Sequence, residues 1–430
     1  MIRSAFYVIS VVAVSLSRLS AVDIESAPIH YSDSTPTDRF AVLKEKIEAD
    51  EFKLSTVRRE ALLQVLEQLE VPIESQVLVF SKTSAQNSLI GPSHPRAIYF
   101  SDNCYVGWAK GGSIEILTYD PKLGAVFYVV DPTKQTSAER FDRPASCLNC
   151  HERSSTGGIP GGLVRSVFAQ QDGMPLFHAG STYVDQSTPV MERWGGWYVT
   201  GTVGDQTHLG NAIASESEEK VSMEPVQDSH LALEQLDQVF DTRQYPAKGS
   251  SDVVALMIFE HQIAMHNTLS AANLSVRQLQ YRTAEMRSAM GEPPLIVPEG
   301  TLKRVIESQA TRIVEGLLFR DEHQMEGDGV EGSDEFADAF SRNRKPTADG
   351  RSLKDLRLYE RLFKYRCSYV IYSEVFDHLT PWLKQEVYRQ LSATLSGDSL
   401  EELSSHMSLT ERDRILGILK ATKHDWPSSE

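Results

Sequence analysis

Hydrophobic and polar positions change their period twice along this chain. From Asp38 to Leu69 apolar residues return every three or four positions, with Leu62, Leu63, Leu66 and Leu69 the clearest set. That spacing predicts helices over Asp38–Asp50 and Ser55–Leu69, with Ser55 placed to cap the second. From Gln76 to Asp131 the text turns to short runs rich in β-branched and aromatic residues: Gln-Val-Leu-Val-Phe, Arg-Ala-Ile-Tyr-Phe, Tyr-Val-Gly-Trp, Ser-Ile-Glu-Ile-Leu-Thr-Tyr and Ala-Val-Phe-Tyr-Val-Val. Turn clusters at Gly91-Pro92-Ser93, Gly111-Gly112 and Asp120 to Gly124 divide them. Short strands on short turns predict a mainly antiparallel sheet. Two more strands are expected over Leu163–Ala169 and Leu176–Val184, hinged at Asp172-Gly173, and Arg193 to Gly201 continues the strand-like pattern.

The second change comes after Ser215. Ser215 to Gly249 is acidic and weakly periodic, a surface segment with one short helix expected. Asp252–Asn267 is apolar round most of its circumference, which predicts a buried helix. Further helices are expected over Leu302–Leu318, Leu353–Val375, Pro381–Leu395 and Leu409–Lys423. Asp321 to Asp334 is rich in glycine and acid but fails the calcium-loop ligand spacing, and reads as a solvated loop. The expected class is α+β: a helical lead-in over residues 22–75, a β-rich segment over 76–213 and a mainly helical region over 214–430.

The first 21 residues read as an export signal. Arg3 gives the positive start, Ala5–Leu16 a short apolar core and Leu19-Ser20-Ala21 a small-residue cleavage site. Such a core is too short to span a bilayer, so the expectation is a periplasmic or otherwise exported protein with no membrane span after cleavage. Of the 430 residues 41% are hydrophobic and 24% charged, ordinary proportions for a globular protein. The net charge of −16 argues against nucleic acid, which needs a basic footprint, and against anionic lipid surfaces. It is compatible with a small cationic redox partner protein.

The chemistry concentrates at Cys147-Leu148-Asn149-Cys150-His151. Two cysteines three apart, with histidine directly after the second, form the attachment signature of a c-type haem. Each thiol adds to one porphyrin vinyl group, and the adjacent imidazole is carried under the iron as its proximal ligand. With 4 Cys and 12 His in the chain, chance produces this pattern about once in a thousand such sequences. Three other readings compete. A redox dithiol wants a thioredoxin-like βαβ setting, which is not visible. A zinc site lacks a second ligand pair, since Cys104 and Cys367 stand alone. A Cys147–Cys150 disulfide would close a tiny strained loop. Cys104 and Cys367 could pair with each other or serve as small buried hydrophobes.

One covalent haem c needs a second axial ligand for electron transfer, or an open position for ligand binding. Downstream candidates are Met174, His178, Met191, His208, His261, Met265 and His266. His208, in a loop flanked by glycines, ranks first. His261 and His266 point about 140° apart on a helix, so they cannot both address one iron. Arg153, Arg165 and Arg193 are candidate propionate partners. Trp194, Trp197 and Tyr198 are candidates for packing at the porphyrin edge, and Gly157 to Gly162 for backbone pressed against its face.

The stretches Val79-Phe-Ser-Lys-Thr-Ser, Arg96-Ala-Ile-Tyr-Phe, Tyr105-Val-Gly-Trp, Cys147-Leu-Asn-Cys-His, Gly162-Leu-Val-Arg-Ser-Val, Arg193-Trp-Gly-Gly-Trp-Tyr-Val-Thr-Gly-Thr and Cys367-Ser-Tyr-Val-Ile-Tyr-Ser resemble a family of exported bacterial cytochrome c-domain-containing proteins of unassigned activity. The resemblance covers nearly the whole chain after residue 21 and implies haem binding and electron transfer. The family pattern often places a histidine after Thr-Gly-Thr, where this chain has Val203. His208 and Glu260-His261-Gln262 match it. The expected function is that of an exported mono-haem c-type cytochrome in electron transfer. The alternatives are a haem enzyme with an open iron, peroxidase-like, and a haem-based redox or gas sensor.

Overall fold

The computed structural model describes residues 22–217, 220–227, 231–397 and 401–427. The export-signal expectation, on residues 1–21, lies outside them. The protein is α+β, organised on a seven-stranded sheet.

Two helices lead in, α1 (Arg39–Glu48) and α2 (Arg58–Gln68). The Asp38 carboxylate caps α1 by accepting from the backbone of Phe40 and Ala41. The strands follow in near-meander order: β1 (Val77–Val79), β2 (Arg96–Phe100), β3 (Tyr105–Trp108), β4 (Ile114–Asp120), β5 (Gly124–Val130) and β6 (Phe141–Asp142). The helical turns α3 (Ser137–Arg140) and α4 (Leu148–His151) precede β7 (Arg165–Val167), which pairs with β8 (Ser181–Tyr183) as a separate hairpin. The chain then returns as β9 (Trp197–Tyr198), which closes the sheet beside β1 in the order β6-β5-β4-β3-β2-β1-β9. Every pairing in that sheet is antiparallel, as short connections require.

Alternation along the strands gives the sheet two buried faces. Ile114, Ile116, Val126, Tyr128 and Val130 face α1 and α2, with Phe40, Leu43, Leu62 and Val65 packed on them. Tyr105, Leu117, Tyr119 and Phe127 face α5 (Val253–Ala289). The core on this second face runs from Val77 to Leu419, so the C-terminal helices share it with the sheet.

Four expectations shift, and the two alternatives for Cys104 and Cys367 narrow to one. The acidic segment Ser215 to Gly249 opens within a hairpin, β10 (Ala212–Glu216) with β11 (Val221–Pro225), and carries no helix among the described residues. Helix α5 begins where expected, capped by Asp252, but continues for 37 residues because no glycine or proline interrupts it before Gly291. α6 (Gly300–Leu317) and α7 (Asp334–Ser341) follow. The helix expected over Leu353–Val375 is instead a hairpin, β12 (Leu356–Tyr359) with β13 (Arg361–Phe363), and a 3₁₀ turn at Tyr369–Tyr372. Left-handed backbone at Leu358 and Glu360 makes its tight turn. Beyond it lie α8 (Glu374–Asp377), α9 (Pro381–Ser396) and α10 (Leu409–Thr422). Ser55 does not cap α2: Val57 holds that position, and the Ser55 hydroxyl donates to Glu60. Finally, Cys104 and Cys367 are both free thiols buried in the core.

Candidate functional site: the Cys147–His151 turn

A 3₁₀ turn over Ala145–Cys147 runs directly into α4, so both cysteines and the histidine sit on one and a half helical turns. Leu148 anchors this turn, packing against the cores of both sheet faces. Cys147 is half-buried and Cys150 exposed, both as free thiols. At three residues' spacing on a helix they share one side of it.

His151 is fixed from two directions. Its ring lies against Phe127 of β5, with centroids 4.6 Å apart. Its Nδ1 is 2.9 Å from the carbonyl oxygen of Gly161, to which it donates. Burial holds this imidazole below its usual pKa, the carbonyl opposing that shift, so the neutral ring with its proton on Nδ1 is the resting form. Nε2 has no hydrogen-bond partner among the described residues. That is the state in which a histidine binds a metal: one nitrogen tethered to a backbone carbonyl, the other a free lone pair.

The carbonyl that orients His151 is itself held by α5. Asn267 accepts from the Gly162 amide at 3.0 Å and donates to the Gly162 carbonyl at 2.8 Å. A Cβ at Gly161 would run into Asn267, and one at Gly162 into Ile263 and Leu117. The small residues at Gly161 and Gly162 therefore serve the loop's approach to α5. Gly157 and Gly158 have positive φ, 78° and 73°, and make the turn that brings the chain back.

The rival readings of the cysteine pair fare poorly on the same geometry. Burial, then the Glu115 and Asp142 carboxylates, push the Cys147 thiol up to about 11. A redox dithiol needs the opposite shift. Among the described residues no three His, Cys, Asp or Glu side chains converge as a metal cluster, and a structural zinc needs four such ligands.

The expected partners of the iron are dispersed. His208 packs on Trp194 at 5.1 Å, and its Nδ1 accepts from the Gly210 amide at 3.0 Å. It belongs to the β9 side of the sheet, whereas His151 sits over β5. Five strand spacings separate those strands, about 24 Å, so the structure does not bring His208 to His151. His261 has both ring nitrogens engaged, Nδ1 with Gln186 Oε1 at 2.5 Å and Nε2 with Ser368 Oγ at 2.7 Å. His178 is on the surface beside Glu216. Met174 and Met191 are exposed, and Met265 is buried beside Gly316. His266 is fully buried on the same sheet face as Phe127, with Nδ1 2.8 Å from the Tyr105 hydroxyl.

The arginines divide likewise. Arg193 is internal, paired with Glu260 at 2.9 Å and donating to the Thr188 carbonyl. Arg165 donates to Ser181 and lies over Phe177 and Tyr183. Of the three, Arg153 alone stays beside the Cys147–His151 turn, exposed and donating to the Asn149 carbonyl. Trp194, Trp197 and Tyr198 are core residues whose polar atoms bond to Glu260, the Arg165 carbonyl and the Pro92 carbonyl. Sequence reasoning missed Asn267 and Phe127, the two residues that place His151. Asn267 does close the predicted buried helix, where an amide is out of place without a partner.

No protein family, curated protein or solved structure matches this chain. Among the described residues no helix is long and apolar enough to cross a membrane.

Proposed function

We propose that this chain is an exported mono-haem c-type cytochrome, with the porphyrin fastened through Cys147 and Cys150, His151 as proximal ligand, and electron transfer with a partner protein as its work. The observation that carries the reading is the His151 imidazole, tethered through Nδ1 to Gly161 with Nε2 unpartnered, directly beside two free thiols. When bound, the haem supplies one-electron exchange at iron. The residues supply the rest. Phe127 and Gly161 fix the plane and tautomer of the imidazole, and Asn267 fixes Gly161 through its neighbour. Arg153 is the cation nearest the turn in sequence, suited to a propionate. The resemblance to exported cytochrome c-domain-containing proteins and the N-terminal export signal support the same reading, including a periplasmic or otherwise exported location.

A second reading has its own observation. Both nitrogens of His261 are engaged, and His208 is packed on the β9 side. An iron held by His151 with an open opposite position, able to bind small ligands, fits these placements. Spectra of the protein made in cells with cytochrome-maturation machinery separate the two. A low-spin spectrum unmoved by carbon monoxide supports electron transfer. A high-spin spectrum shifted by carbon monoxide supports the open position. Absence of haem overturns both.

A further inference from the structure

The α5 face of the sheet holds a buried polar chain that haem attachment leaves unused. Tyr369 donates its hydroxyl to Gln262 Oε1 at 2.5 Å. The Gln262 amide nitrogen donates to the Ser101 carbonyl and to the Tyr105 phenol oxygen, both at 2.8 Å. Tyr105 in turn lies 2.8 Å from Nδ1 of His266. The donors and acceptors set a direction. Ser101 and Tyr369 between them fix which end of the amide faces Tyr105. Because the phenol oxygen accepts from Gln262, its own proton goes to His266 Nδ1. His266 is therefore the tautomer protonated at Nε2.

Three buried polar atoms follow without a partner among the described residues: His266 Nε2, the Tyr119 hydroxyl and Ser270 Oγ. Tyr119 packs edge-on against His266 at 4.7 Å, and Ser270 lies one turn along the same face of α5. A cavity of about 10 Å³ opens beside Tyr119 and Ser270, lined also by Asp120 and bordered by the exposed His378. It has the size and polarity to hold one water. A phenol proton is thus aimed at a base whose second nitrogen makes no hydrogen bond among the described residues.

We propose that Tyr105 is a redox-active tyrosine and that His266 is the base that takes its proton. In the forward step one electron leaves the Tyr105 ring for an oxidant and the phenol O–H bond breaks. The proton goes to Nδ1 of His266, which keeps its Nε2 proton. The products are a neutral tyrosyl radical, a His266 imidazolium and a reduced oxidant. Re-reduction reverses each transfer. Burial pushes Tyr105 well above the usual phenol range and His266 down to about 3, so the proton stays on oxygen until the electron leaves.

The oxidant is, by class, a haem at His151 that a hydroperoxide has oxidised, and this part rests on the open-position reading of that haem. The sheet register supplies the path. Tyr105 pairs with Leu117, and Leu117 with Phe127, the ring that carries His151. Tyr105 and Phe127 are thus two strand spacings apart on one face, about 10 Å.

The test generates the radical in two ways in the full chain, with electron paramagnetic resonance as readout. One arm flash-oxidises the protein, with or without haem, using photo-excited ruthenium tris-bipyridine and persulfate; the other adds hydrogen peroxide to the haem-loaded protein. A neutral tyrosyl radical is expected in both arms. Tyr105→Phe is expected to remove the Tyr105 radical signal, and His266→Gln to lower its yield about a hundredfold, the lower end of the effect of a lost proton acceptor. Tyr99→Phe removes a buried phenol bonded only to the Gln76 amide and should leave the yield unchanged. A full yield in folded Tyr105→Phe or folded His266→Gln overturns the proposal. If a variant does not fold, radical decay of the unaltered chain in heavy water decides: slower decay supports proton return through His266, and equal decay overturns it. If no haem attaches, the peroxide arm is silent and the haem reading fails, while the ruthenium arm still judges Tyr105.

Discussion

Asn267 shows how much one side chain contributes to the candidate site. It makes two hydrogen bonds to Gly162 and touches neither cysteine. Asn267→Leu leaves both Gly162 groups unpaired beside the helix and is expected to cost about 2 kcal/mol, read as a lower urea midpoint. An unchanged midpoint would mean that the loop is held elsewhere. Glu322 offers a separate test through pH. Burial raises its carboxyl from 4.5 to about 7, against the Leu362 amide that donates to it. Between those values the folded protein keeps a proton that the unfolded chain has lost. Its contribution is therefore fully present below about pH 4.5 and lost as pH rises through about 7. Glu322→Gln keeps an acceptor for Leu362, and should lose less stability than the parent between about pH 5 and about pH 8. Equal losses would refute the assignment. His261 and His266, both pushed down to about 3 by burial, act with the opposite sign in both proteins and cancel in the comparison.

Helix α5 is the element on which the rest is arranged, and it carries an unusual set of buried polar residues: Glu260, His261, Gln262, His266 and Gln278 among them. Each is paid out to a different neighbour, Glu260 to Arg193 and Trp194, Gln262 to Tyr105 and Tyr369. Glu260→Leu would strand the buried Arg193 guanidinium and is expected to cost about 3 to 5 kcal/mol, whereas the double change with Arg193→Met should recover much of that loss. Chemical denaturation of the three proteins measures it, and a double variant no better than the single would contradict the pairing. The elements differ in how legible they were. The meander from β1 to β5 was readable because alternation and turn residues are local signals. The start of α5 was readable from its apolar circumference, but its length depended on nothing breaking it. The Leu353–Val375 segment was misread because its apolar residues suit either period. Left-handed turn residues at Leu358 and Glu360, neither of them glycine, gave no warning of a hairpin.

At the scale of the whole molecule, the local half of the site was legible and the long-range half was not. Cys147, Cys150 and His151 are neighbours in sequence, so their sharing one short helical turn follows from their spacing. The surroundings of His151 come from β5, the Gly161 loop and α5, between 10 and 116 residues away. No single-chain pattern could pair them, and His208 was favoured for loop flexibility that the fold spends on packing against Trp194. The net charge of −16 predicts that association with a basic partner protein weakens as salt rises. Beneath all of this stands the proposed covalent attachment, and intact mass measured together with a pyridine haemochrome spectrum tests it most directly. Protein from cells with cytochrome-maturation machinery should be heavier by one haem and give the c-type band, with both lost in Cys147→Ser/Cys150→Ser. A parent chain of unmodified mass without that band, or a serine variant of the same colour and mass gain, would contradict the account.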